Sequence, residues 1–144
     1  MSKINIGKAA AGGVLAGVIL SVLDFVINNY ILAGDWQNVA HLHNIDLTVM
    51  GGTSALIVML VVDFILGQVL VVTYAAIRPR FGPGAGTAAV AAFLIFLPVA
   101  LQLATFAGLF ISWELYIRQA ALLLVAMIVA AVAGAWVYSE EETE

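Results

Sequence analysis

The sequence contains no cysteine, which excludes disulfides, thiolate metal sites and palmitoylated anchors. Charge is scarce as well: 10% of the 144 residues are charged, against about 25% in soluble domains. The five basic residues are scattered along the chain, so they form no stripe for a phosphate backbone and nucleic acid is not an expected partner. There is no Gly-x-Ser-x-Gly elbow, His-Glu-x-x-His pair, P-loop or dinucleotide fingerprint. On these absences neither an enzyme nor a bound cofactor is expected, and no catalytic, cofactor-binding or metal residue is assigned.

Apolar residues are what the chain has in abundance, at 64%. A chain this short cannot bury that much apolar surface in one water-soluble core. Four runs, approximately 6–32, 49–77, 85–111 and 115–138, each exceed the roughly 20 residues that a spanning helix needs. The expected fold is all-α: a single domain over 1–144 forming a bundle of four transmembrane helices. The first run follows Lys3 and Lys8 like a secretory signal, but it is longer than the about 7–15 residues of a signal core and lacks a small-x-small site before Trp36. It is therefore expected to stay as an uncleaved first helix.

Basic residues set the expected orientation. Lys3, Lys8, Arg78 and Arg80 flank alternate ends of the runs, whereas 33–48 holds Asp35 and Asp46 and no Lys or Arg, which places both termini in the cytoplasm. Arg118 alone runs against the pattern. The tail residues Glu140, Glu141, Glu142 and Glu144 supply much of the net charge of −4 and are expected to be solvated. Pro79, Gly82, Pro83 and Gly84 predict a hard stop after the second run. Ser112, Trp113 and Glu114 are the expected link between the third and fourth helices. Tyr30, Trp36 and Trp113 on one side, and Tyr74, Phe81, Trp136 and Tyr138 on the other, are expected as headgroup-level anchors.

The few polar residues inside the runs mark the faces that matter. At about 100° per residue, Gly13, Gly17, Ser21, Asp24 and Asn28 share one narrow stripe, in which the small residues Gly13, Gly17 and Ser21 allow another backbone to approach closely. On the second run Gly52, Met59, Asp63, Gly67 and Tyr74 fall close to one line, with Gln68 directed away from it. An ionisable carboxyl at bilayer depth costs several kcal/mol, roughly 3 on the most lenient scale, so Asp24 and Asp63 are the residues most in need of explanation. Pro98 removes the donor for the Leu94 carbonyl, and Gln102 and Thr105 follow on nearly the same face. As a neutral acid Asp63 is expected to donate to Gln102 or to that carbonyl. Arg118 is expected either to pair with Glu114 one turn earlier or to turn inward to Asp24. Together Asp24, Asn28, Asp63, Gln102 and Arg118 form the candidate intramembrane polar cluster. His41, His43 and Asp46 have no third strong metal ligand at a characteristic spacing and are expected to be solvated.

The segment 74–84, Tyr-Ala-Ala-Ile-Arg-Pro-Arg-Phe-Gly-Pro-Gly, followed by Thr87 and Ala88, resembles a signature of small bacterial four-helix integral membrane proteins. The Gly/Ala-rich opening of the first run and its approach to Trp36 extend the resemblance. It implies a four-helix bundle and no particular activity, and the expected location is the bacterial inner membrane. The expected function is that of a non-enzymatic membrane protein acting through helix packing, as an accessory or scaffold subunit or a homo-oligomer, with lipid and other membrane subunits or itself as partners. The alternative is a proton or small-cation carrier or channel using Asp63 and Asp24.

Overall fold

The computed structural model describes residues 4–46, 48 and 52–138. Lys3, the start of the second predicted run and the acidic tail lie outside them. Among the described residues there are five helices and no strands: α1 (Ile6–Val26), α2 (Ala33–His43), α3 (Thr53–Phe81), α4 (Ala85–Ala104) and α5 (Trp113–Val137). All but α2 are long and apolar enough to cross a membrane, which suggests a multi-pass membrane protein.

Local chemistry sets the helix ends. Asn5 caps α1 by accepting from the Lys8 amide at 2.9 Å, which satisfies one of the unpaired N–H groups of the first turn. At its far end α1 widens into a π turn over Ile27–Ile31. There the Asn28 and Asn29 side chains donate to the carbonyls of Asp24 and Phe25, both at 3.0 Å. Those side chains compete with the backbone for i−4 acceptors, and the wider ring closes as Leu32 N–H donates to Ile27 O at 2.8 Å. The segment after it, which lies between the first two apolar runs, folds into α2. Asp35 lies in its first turn, His41 and His43 in its last, and Asn44 ends it in the left-handed conformation at φ 52°.

Two predicted boundaries move. Helix α3 continues through Pro79 to Phe81 instead of stopping at Ile77. Proline φ is helical, and so near the helix end the ring costs little more than the bond to the Ala75 carbonyl. The stop comes from Gly82, at φ 81°, whose amide donates to Arg78 O at 2.8 Å. Helix α4 ends at Ala104 and not at Ile111. Residues 105–111 are apolar, but Thr105, Phe106 and Ala107 make i−3 bonds to Gln102, Leu103 and Ala104, and Gly108 turns at φ 79°. Ser112 caps α5 by accepting from the Leu115 amide at 3.1 Å, so Trp113 and Glu114 belong to the helix and not to its link.

Helix α1 packs against α3 and α5, and α4 packs against the same two helices from elsewhere on the bundle. The core is built largely of small side chains: Ala16, Ala88, Ala91, Ala92 and Ala130 are fully buried around Leu20, Leu70, Val71 and Met127. Small residues let helices approach closely without a large apolar filling.

Candidate functional site

The site begins with glycines. A Cβ on Gly67 would lie 2.6 Å from the Gly13 carbonyl oxygen, and one on Gly17 would lie 2.9 Å from the Phe64 Cα. Backbone therefore meets backbone where α1 crosses α3, and the next turn of α1 carries Ser21 and Asp24 to the level of Asp63. A second glycine contact, Gly12 against Gly134, joins the neighbouring face of α1 to α5. The stripe expected to pack against protein thus has buried Gly13, Gly17 and Ser21, with Asp24 and Asn28 half-buried at its outer end.

Asp63 is 6% exposed, and its Oδ2 has no hydrogen-bond partner. Asp63, one turn before Gly67, shares the α3 face that meets α1, where Ser21 follows Gly17 by one turn. The Ser21 hydroxyl donates to the Gly17 carbonyl at 3.0 Å. Asp24 is held by Asn28, whose Nδ2 donates to its Oδ1 at 2.9 Å. Asn28 in turn accepts from the Trp36 indole at 2.9 Å. A polar line thus runs from α2 through Asn28 and Asp24 toward Asp63, and Trp36, expected only as a boundary anchor, is a structural donor within it.

Two members expected in this cluster lie elsewhere. Gln102 is exposed, because α4 buries the face of Ala88, Ala92, Phe96 and Ala100, and Gln102 projects about 200° from Ala100. Pro98 and Leu94 are exposed on that outer side too, so neither Gln102 nor the Leu94 carbonyl meets Asp63. Arg118 does not pair with Asp24. It donates to Asp35 of α2 at 2.6 Å and keeps Glu114 at 3.8 Å, with side-chain exposures of 47% for Arg118 and 24% for Asp35. The formation of α2 brings Asp35 within reach and leaves Asp24 with Asn28. Gln68 also departs from expectation: its Nε2 donates to Ala10 O at 3.1 Å, and its amide packs where a Gly13 side chain would be. Its long side chain spans the offset from the Asp63 line.

At the α2 end of the bundle His43 Nε2 lies 2.9 Å from the Phe110 carbonyl, which ties the end of α2 to the α4–α5 turn. His41 and Asp46 border a surface depression with Gln37 and Asn44. Asp46 accepts from the Thr48 hydroxyl at 2.7 Å and from its amide at 2.8 Å. These bonds hold its carboxyl below the ordinary aspartate range. Among the described residues no three His, Asp or Glu side chains converge as a metal group.

The opposite end is closed by aromatics. Tyr74 and Tyr138, expected as boundary anchors, are buried edge to face with centroids 6.0 Å apart, and the Arg78 guanidinium lies 5.7 Å from the Tyr138 ring centre. Tyr74 Oη accepts from the Gly84 amide at 3.2 Å, and the Thr87 hydroxyl donates to Gly82 O at 2.7 Å. The 74–84 segment is therefore one locked turn. Tyr30, Phe81, Trp113 and Trp136 are exposed.

No protein family, curated protein or solved structure matches this chain. The chemistry of its site is accordingly read from these residues alone. It consists of a carboxylate pair on a glycine-tight helix crossing, with Arg118 engaged by Asp35 instead.

Proposed function

We propose that this protein is a non-enzymatic, multi-pass protein of the bacterial inner membrane, with both termini cytoplasmic, that acts through helix packing as an accessory or scaffold subunit. The outer half of α3 carries this reading. Over residues 53–62 only Ala55 and Met59 are half-buried, and Leu56, Ile57, Val58, Leu60, Val61 and Val62 are all exposed. The close-packing stripe on α1 is already occupied by α3, so association with another subunit or a second copy would use this α3 surface. Lys8, Arg78 and Arg80 at the same end of the bundle support the orientation.

The test is cross-linking in native membranes from a single cysteine at Val61, with one at Val129 of α5 as a control exposed elsewhere. An adduct of defined mass formed from Val61 and not from Val129 supports a packing surface. Lipid adducts alone from both positions would overturn it. Orientation is checked by an impermeant thiol reagent, which should reach cysteines at Asp46 and Phe81 from opposite faces.

The buried, unpartnered Oδ2 of Asp63 favours a second reading, a carrier or channel for protons or small cations. Wild-type proteoliposomes should then give a pH-dependent flux that Asp63→Asn abolishes without unfolding the protein. No flux from either form favours packing.

A further inference from the structure

We propose that Asp63 is a proton-binding site, its carboxyl taking up one proton and donating it toward Ser21 while Asp24 keeps the negative charge. This goes beyond helix packing, and it holds whether or not the protein moves ions.

Three observations converge on the site. Asp63 is buried on the line where Gly13, Gly17 and Gly67 bring the α1 and α3 backbones into contact, so little space remains for solvent around it. Its Oδ2 has no partner, and an anionic oxygen left unpaired in a buried site costs far more than a neutral carbonyl oxygen in the same place. The Ser21 hydroxyl has committed its hydrogen to the Gly17 carbonyl, which leaves its oxygen free to accept. Protonated Asp63 therefore completes a consistent chain, carboxylic acid to Ser21 Oγ to Gly17 O. Ionised Asp63 requires the Ser21 hydroxyl to rotate and abandon Gly17. The site thus has two hydrogen-bonded arrangements that differ by one proton.

Asp24 differs from Asp63 in having a donor. Asn28 Nδ2 donates to its Oδ1 and is itself oriented by Trp36, an arrangement that suits a carboxylate. Two carboxyls in one poorly solvated seam repel when both are ionised, so the one with the donor keeps its charge. Among the described residues no base offsets them. Arg118 is engaged by Asp35, and Lys8 lies roughly 24 Å from Asp24 along α1. Helix α4 carries no titratable side chain. Those of α5 are Glu114, Tyr116 and Arg118 in its first two turns, with Tyr116 donating to Ala100 O at 2.9 Å. On α3 itself the next ionisable groups are Tyr74, Arg78 and Arg80, three turns or more away toward the other end.

Dicyclohexylcarbodiimide, an apolar reagent that couples to protonated carboxyls, tests the site in the full chain reconstituted into phosphatidylcholine vesicles. One adduct is expected, mapped by mass spectrometry to Asp63, and its yield should fall as pH rises. Asp63→Asn should lose it. Asp24→Asn should keep it. An infrared carboxylic-acid band that titrates in the wild type provides a readout independent of how the variants fold. Absence of both adduct and band, or an adduct on Asp24 alone, would overturn the proposal. Protection by sodium at constant pH would also overturn it, assigning the site to a metal cation. Vesicles that pass no ions remove only the transport reading.

Discussion

Gly67 of α3 lies against Gly17 of α1 so closely that a Cβ on Gly67 would stand 2.7 Å from the Gly17 Cα. Neither backbone can yield without separating the two helices. Gly67→Ala and Gly17→Leu should each therefore lower stability by about 1–3 kcal/mol, the usual range for overpacking. Gly86 in α4 has nothing within 4 Å of an added Cβ, so Gly86→Ala should be neutral or stabilise by up to about 1 kcal/mol. Thermal unfolding of all three in one detergent checks the contrast. An unchanged melting temperature for Gly67→Ala would show that the helices do not meet there.

The bond from Trp36 to Asn28 should be measurable separately. Trp36→Phe removes the indole donor while keeping an aromatic ring, and the expected loss is about 1 kcal/mol. Faster hydrogen exchange should appear at the Asn28 side chain and in α2, with the distant Tyr74–Gly84 turn unaffected.

Arg118 and Asp35 form a short but partly exposed ion pair. A double-mutant cycle with Arg118→Ala and Asp35→Ala should return a coupling below about 1 kcal/mol. That coupling should shrink as salt rises, because the pair sits where counterions reach it. A larger, salt-independent value would mean that the pair is desolvated.

Asp46 should titrate below an ordinary aspartate because Thr48 donates to it twice. A lowered folded-state value stabilises the turn above the ordinary aspartate range and loses that stabilisation as pH falls through the lowered value. Thr48→Val removes the hydroxyl donor and leaves the amide, so the Asp46 carboxyl should move part of the way back up. Carbon-detected NMR of that carboxyl gives the result directly, and no change on substitution would mean that the hydroxyl bond is not formed in solution.

The four long helices were legible because apolar runs report helices of this length directly, and the Gly13–Ser21 stripe was legible because small residues at i, i+4 define one face. What the sequence hid were the effects of contacts distant along the chain. Residues 105–111 are as apolar as the helix before them, so hydropathy carried α4 past its end at Ala104. Helix α2 is too short and polar to stand out, yet it supplies both Asp35 and Trp36. Without it, Arg118 had only Glu114 and Asp24 to choose between. Gln102 was placed correctly on its own helix, but the sequence does not reveal which side of α4 faces α3.

The contact between Gly12 and Gly134 has a consequence for the order of events during synthesis. The first helix cannot finish packing until the last has been made, 122 residues later by the difference of their numbers. At about 5–20 residues per second that delay is roughly 6–24 s. During that interval one glycine face of α1 is left to lipid or to the insertion machinery. A nascent chain stalled before α5 should therefore present α1 as a free helix that associates readily with others, and arrested-chain cross-linking from a cysteine at Gly12 would detect that passing partner.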